Sequence, residues 1–134
     1  MTYPDDSNVT YEYDTLGRVT KIKYNDSNVA EYEYDELSRR KLLTLGNDAN
    51  AVYEYNINNW LISLVNHIND VNVSFEYDKY DKVGNRKSCV IDNNSAAAYV
   101  FDYDEIYRLV FADYNDGNFV DYTYDALGNR DEVV

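Results

Sequence analysis

A short aromatic–acid block returns along the whole of this chain. It reads Tyr11-Glu12-Tyr13-Asp14, then Tyr32-Glu33-Tyr34-Asp35, Tyr53-Glu54-Tyr55-Asn56, Phe101-Asp102-Tyr103-Asp104 and Tyr122-Thr123-Tyr124-Asp125. An irregular copy lies between these, where Phe75-Glu76-Tyr77 runs into Tyr80-Asp81 with extra residues. With Asp14, Asp35, Asn56, Asp81, Asp104 and Asp125 as markers, the spacings are 21, 21, 25, 23 and 21 residues. Self-similarity at such a period is the signature of a repeat architecture, in which each unit buries its surface against its neighbours. The expected organisation is a single array of about six repeats, approximately 1–24, 25–45, 46–66, 67–91, 92–114 and 115–134, with no room in 134 residues for a separate domain. The last marker is followed by Asp131-Glu132-Val133-Val134, which reads as an unfinished strand. The array is therefore expected to be a segment of a larger one, or a unit that polymerises through unpaired strand edges.

The residues after each marker have a mechanical reading. In Asp14-Thr15-Leu16-Gly17-Arg18 the aspartate starts a type I turn by accepting backbone N–H groups just ahead of it. Gly17 then supplies the left-handed residue that closes a three-residue hairpin with a bulge. Gly84 and Gly128 repeat the arrangement, while Ser38, Asn59 and Tyr107 stand in the glycine position elsewhere. Asparagine tolerates positive φ, but tyrosine does not, so the turn at Tyr107 is expected to be of another type. A strand-like run comes after each turn. Val19-Thr20-Lys21-Ile22-Lys23-Tyr24 alternates; Leu42-Leu43-Thr44-Leu45 and Leu61-Ile62-Ser63-Leu64-Val65 are apolar enough to predict strands covered on both faces. Second turn signals come at Asn25-Asp26-Ser27-Asn28, Gly46-Asn47-Asp48, Asp92-Asn93-Asn94 and Asn115-Asp116-Gly117. The predicted fold is all-β, an antiparallel hairpin meander of about twelve short strands. Ile57 to Ile68 could fit a helical period, but Asn58, Asn59 and Asn66 are poor helix-interior residues and favour strand. Ala96-Ala97-Ala98 is too short for a helix of its own.

Composition removes several functions. Twenty-five acids against twelve bases leave a formal charge of −13, which repels nucleic acid and anionic membrane surfaces. No apolar run approaches the roughly 20 residues of a membrane span, and the polar start does not look like a signal peptide. The single Cys89 forbids an intrachain disulfide and a cysteine-based zinc cluster, and no cofactor motif is present.

These residues closely resemble the Rhs/YD-repeat family, whose motif is Tyr-Asp-x-x-Gly-Arg in units of about twenty residues. Tyr13-Asp14-Thr15-Leu16-Gly17-Arg18 matches fully; Tyr80-Asp81-Lys82-Val83-Gly84-Asn85-Arg86 and Tyr124-Asp125-Ala126-Leu127-Gly128-Asn129-Arg130 are its Gly-Asn-Arg variant. Tyr34, Asp35 and Arg39, Tyr55 and Asn56, and Tyr103, Asp104 and Arg108 fill the same positions in the remaining copies. The resemblance implies a β-strand ribbon that spirals as a solenoid and, in long members, curls into a hollow shell. Such shells occur in secreted or cell-surface proteins: bacterial polymorphic toxins, insecticidal toxin complexes and animal teneurins. Secretion or surface display is thus implied by family, with no export signal in the chain itself. The Asp-Pro- and Gly-rich self-cleaving segment of toxin members is absent, since Pro4 is the only proline.

Other chemistry competes poorly with this structural reading. His67 is the only histidine, and a Ser63-His67-Asp70 set can be written down without any geometric warrant; it reads as a turn or surface residue. Cys89 reads as a buried small hydrophobe. Asp102, Asp104 and Glu105 are the calcium candidates, with Asp113, Asp116 and Asp121 close together in a second group, but neither has a recognised loop spacing. The Asn-x-Ser/Thr sequons at Asn8, Asn25, Asn72 and Asn93 are expected by chance in an asparagine-rich chain. The motif arginines Arg18, Arg39, Arg86, Arg108 and Arg130 are expected to pair with the turn aspartate or stack on the neighbouring repeat's tyrosine. Tyr11, Tyr32, Tyr53, Tyr99 and Tyr122 share strand parity with the second tyrosines and form either a packing ladder or a glycan-stacking face. The expectation is a non-enzymatic scaffold that associates with copies of itself or with the rest of a larger YD-repeat protein. The alternative is a cell-surface module that contacts glycans or partner proteins through its tyrosines.

Overall fold

The structure is a computed structural model and describes residues 7–92 and 97–133. It contains β1 (Val9–Tyr13), β2 (Val19–Tyr24), β3 (Ser27–Tyr34), β4 (Arg40–Leu45), β5 (Asn50–Tyr55), β6 (Leu61–Ile68), β7 (Val71–Glu76), β8 (Ser88–Asp92), β9 (Ala97–Tyr103), β10 (Leu109–Asp113), β11 (Phe119–Tyr124) and β12 (Arg130–Val133). Strand order in the sheet is the order of the chain from β1 to β12, the meander the repeat predicts. Ile57 to Ile68 resolves into a turn and strand β6, and there is no helix among the described residues. The turn residues Asn93 and Asn94, the Asn93 sequon and Ala96 lie outside the described residues; Ala97 begins β9.

The chain divides into two compact units, one drawn from Met1–Glu54 and Leu64–Val73, the other from Tyr55–Ser63 and Ser74–Val134. In the first, alternation sorts the side chains of β1–β5 into two faces. Glu12 sits opposite Lys21 and Lys21 opposite Glu31. On that charged face Lys21 pairs with Glu31 at 2.9 Å and Lys23 pairs with Glu12. The opposite parity carries Tyr11 across from Ile22, Ile22 across from Ala30, and Tyr32 across from Leu43. The most shielded apolar positions there are small: Ala30, Ala49 and Ala51. In the second unit the buried residues are Ser63, Tyr77, Ser88, Cys89 and Ala112.

No large side chain is fully buried among the described residues. This corrects one expectation: the apolar run in β4 is not covered on both faces, since Leu45 remains 41% exposed. A run of leucines reports the potential for burial, whereas actual burial needs something laid over the strand.

The second turns use local backbone chemistry. Asn25 and Asp26 both take positive φ (47° and 63°), the mirror-image turn that suits a two-residue hairpin. Gly46 is required for a different reason. A Cβ there would stand 2.3 Å from the carbonyl oxygen of Asn28, while Gly46 N–H donates to the Val29 carbonyl at 3.0 Å.

Candidate functional site

The repeated turn is the most defined side-chain arrangement in the molecule. In all six copies the marker's Oδ1 accepts the backbone N–H groups two and four residues ahead, at 2.8 to 3.0 Å. Its carbonyl accepts the N–H three residues ahead, and its own N–H donates to the carbonyl four ahead. The third residue of each loop is left-handed: Gly17, Ser38, Asn59, Gly84, Tyr107 and Gly128 have φ between 63° and 95°. Tyr107, at φ 68°, therefore corrects the expectation of a different turn there. A left-handed non-glycine residue costs roughly 1–2 kcal/mol. The bonds converging on Asp104 oppose that cost, and Arg108 Nε adds a 2.6 Å ion pair to Asp104 Oδ2.

The residue four after the marker has two tasks. Arg18, Arg39 and Arg108 donate through Nε to the marker's Oδ2 at 2.6, 2.7 and 2.6 Å, while Asn85 and Asn129 do so with an amide at 2.7 and 3.0 Å. The same position also reaches into the next repeat. Arg18 lies 4.5 Å from the Tyr34 ring centre and Arg108 lies 4.3 Å from that of Tyr124. Trp60 stands in this position after Asn56 and stacks on Tyr80 with ring centres 5.1 Å apart. Pairing and stacking, read from the sequence as alternatives, thus occur together in Arg18 and Arg108. Arg40 and Arg130, one residue further on, lie over Tyr32 and Tyr122.

The tyrosine hydroxyls add a contact that sequence reasoning missed. Tyr34 donates to the Val19 carbonyl at 2.8 Å, Tyr103 to Arg86 at 2.9 Å and Tyr124 to Leu109 at 2.7 Å; Tyr80 donates to Leu61. In each case the acceptor is the fifth residue after the preceding repeat's marker. A signal was available: the second position of the block is tyrosine in every copy, whereas the first is Phe75 or Phe101 in two of them.

Asp14, Asp35, Asp81, Asp104 and Asp125 all have carboxyls held below the ordinary value of 3.8. At Asp14 and Asp104 the backbone N–H of Arg18 or Arg108 is the main cause. At Asp35 and Asp81 burial is the largest influence and pushes upward, but it is outweighed by the bonds from Arg39 and Asn85.

The other candidates are not brought together. Among the described residues no three His, Cys, Asp or Glu side chains gather as a metal site. Asp102 pairs with Lys87, Asp104 with Arg108, and Glu105 is an exposed turn residue. Asp113 and Asp116 accept the N–H groups of Asn115 and Asn118. His67 Nδ1 is 2.7 Å from Asn72 Oδ1, and Ser63 Oγ donates to Glu76 at 2.9 Å, so each has a partner outside the written triad. Cys89 is buried at 6% exposure; burial pushes its thiol upward, while the charge of Arg86 pulls the other way. It lines a hollow of about 430 Å³ in the second unit, together with Phe75, Tyr77, Arg86, Tyr99, Phe101 and Tyr114.

These features define an antiparallel hairpin-repeat protein whose turns are closed by the markers and whose successive repeats are joined by stacked cations and tyrosine hydroxyls. No protein-family model matches the chain, and no curated protein does. Solved structures do. The chain is similar over 96% of its length to a chain in the crystal structure of TcdB2-TccC3-Cdc42, with a TM-score of 0.82 and 19% identity. Over 98% of its length it is similar to a chain in the structure of the Photorhabdus luminescens Tc holotoxin pore with mutated TccC3, with a TM-score of 0.79 and 18% identity. In both cases it spans 8% of the neighbour's length. The motif and these structures lead to the same class: the chain has the YD-repeat fold.

Proposed function

We propose that this chain is a non-enzymatic structural repeat protein. It builds a β-sheet scaffold by strand-edge stacking of YD repeats, as a wall segment of a larger secreted or surface YD-repeat protein or as a head-to-tail fibre. The observation that carries this reading is the recurrence of one inter-repeat contact, the tyrosine hydroxyl on the preceding repeat's backbone. Side chains that recur at a fixed period serve the period itself. The similar chains, from multi-component toxin complexes, support association with further protein. No helix among the described residues is long and apolar enough to cross a membrane.

Edge strands with unpaired backbone groups recruit other strands. Among the described residues β1 pairs with β2 and β12 with β11, each at an end of the sheet order. Light scattering on the purified chain over a dilution series tests the proposal. The expected outcome is a mass well above 15.7 kDa that persists on dilution. A clean monomer of 15.7 kDa at all concentrations would sink edge stacking by this chain and favour a stand-alone binding module.

A further inference from the structure

The irregular fourth repeat builds something that the regular ones do not. Asn56 and Asp81 are 25 residues apart where the usual spacing is 21, and Asp78 and Lys79 separate Tyr77 from Tyr80. Tyr80 takes the ordinary tasks, stacking on Trp60 and donating to the Leu61 carbonyl. Tyr77 lies under Arg86 as Tyr32 and Tyr122 lie under Arg40 and Arg130, but it is the most enclosed aromatic among the described residues of its unit, 7% exposed, with the guanidinium 3.7 Å from its ring centre. Beside this pair lies the hollow of about 430 Å³, within the roughly 300–1,000 Å³ typical of small-molecule sites.

Arg86 differs electrically from the arginines that close onto turn aspartates. Asn85 occupies Asp81 Oδ2, so the local carboxylate is taken. Among the described residues Arg86 forms no ion pair, and its Nε is shut from solvent with no acceptor. A cation without a counter-charge, in a chain of formal charge −13, is an unmet demand for an anionic oxygen. The rest of the lining is aromatic, aliphatic or thiol, which suits a flat apolar body and would strand the hydroxyls of a sugar.

We propose that this hollow binds a small aromatic carboxylate, its ring set among Phe75, Tyr99, Phe101 and Tyr114 and its carboxylate accepting hydrogen bonds from Arg86. Backbone amide shifts followed by NMR during titration with 2-naphthoate test it, with naphthalene-2-carboxamide as the neutral isostere and glucuronate as the sugar acid. Saturable shifts confined to the residues around the hollow are expected with naphthoate, at least about tenfold tighter than with the carboxamide, because a charged acceptor bonds Arg86 more strongly. Arg86→Gln should abolish that preference. Tyr114→Ala, at a position already 39% exposed, removes one wall and should weaken naphthoate binding with the fold retained. Equal affinity for acid and amide, unchanged binding in either folded variant, saturation by glucuronate alone, or no saturable shifts at millimolar naphthoate each overturn the proposal. If Arg86→Gln does not fold, the acid–amide comparison and Tyr114→Ala still decide it.

Discussion

The turns at Asp104 and Asp81 have given up opposite parts of the same motif. The first keeps its arginine, Arg108, but places Tyr107 where glycine is expected; the second keeps Gly84 but places Asn85 where arginine is expected. Their backbones nevertheless make the same bonds, and both markers accept the same two N–H groups through Oδ1. The turn after Asn56 has lost both, with Asn59 and Trp60 in those places, and still closes the same way. Glycine and arginine are therefore adjustable. The constant in all six copies is a side-chain oxygen one carbon from Cβ, placed to accept bonds from the chain ahead of it.

Acid should break the comparison most widely. The five lowered carboxyls bind protons less readily in the folded state than in the unfolded one, whose ordinary value is 3.8. Their stabilisation is fully present above that value and is lost as pH falls through the lowered folded values. The Asn56 turn has no such proton to gain. Hydrogen exchange followed down to pH 2 should show the amides of Ile106 and Arg108 losing protection before those of Asn58 and Trp60, and loss in step at both turns would refute the assignment.

Next in size is removal of one marker. Asp104→Ala should lower the urea midpoint further than Asp81→Ala, because Tyr107 depends on those bonds to stay left-handed and Gly84 does not. Equal midpoints would show that Tyr107 is held by something else. Gly84→Ala should come third at about 2 kcal/mol, since its φ of 95° is strained for alanine and the new Cβ meets the Trp60 ring at 3.1 Å. Gly17→Ala, with open space around it, should cost about 1 kcal/mol, the backbone strain alone. The smallest effect has the opposite sign. Tyr107→Gly should stabilise by about 0.5–1 kcal/mol, the relief of strain less the extra freedom of glycine in the unfolded chain. Thermal or urea unfolding reads all three, and a destabilised Tyr107→Gly would mean that the tyrosine ring contributes more than its exposure suggests.

The meander was legible because everything that makes a hairpin here is local. Asp14 meets its acceptor duties within four residues, and β2 alternates immediately afterwards. The identity of Tyr107 misled because local propensity was outweighed by bonds to Asp104. Burial of Leu42–Leu45 was not legible, since it depends on what lies over the sheet. The hydroxyl contact of Tyr34 was hidden differently: its acceptor is a backbone carbonyl 15 residues back, which carries no side-chain identity. The hollow lies in the repeat whose interval is four residues longer than the usual 21, and the length of an insertion says little about where a ring will settle.

The tyrosine contacts also bear on how the molecule would behave under tension. Each ties a ring to backbone 15 to 19 residues earlier, across one hairpin boundary, and strand pairing keeps the order of the chain. Bonds arranged in this way meet a pull on the termini in succession, as a zipper does. A released repeat of 21 residues would lengthen the chain by roughly 70 Å at about 3.4 Å per residue, and the 25-residue interval by roughly 85 Å. The spacing of the markers would then be written out again, as the step lengths of a force–extension trace.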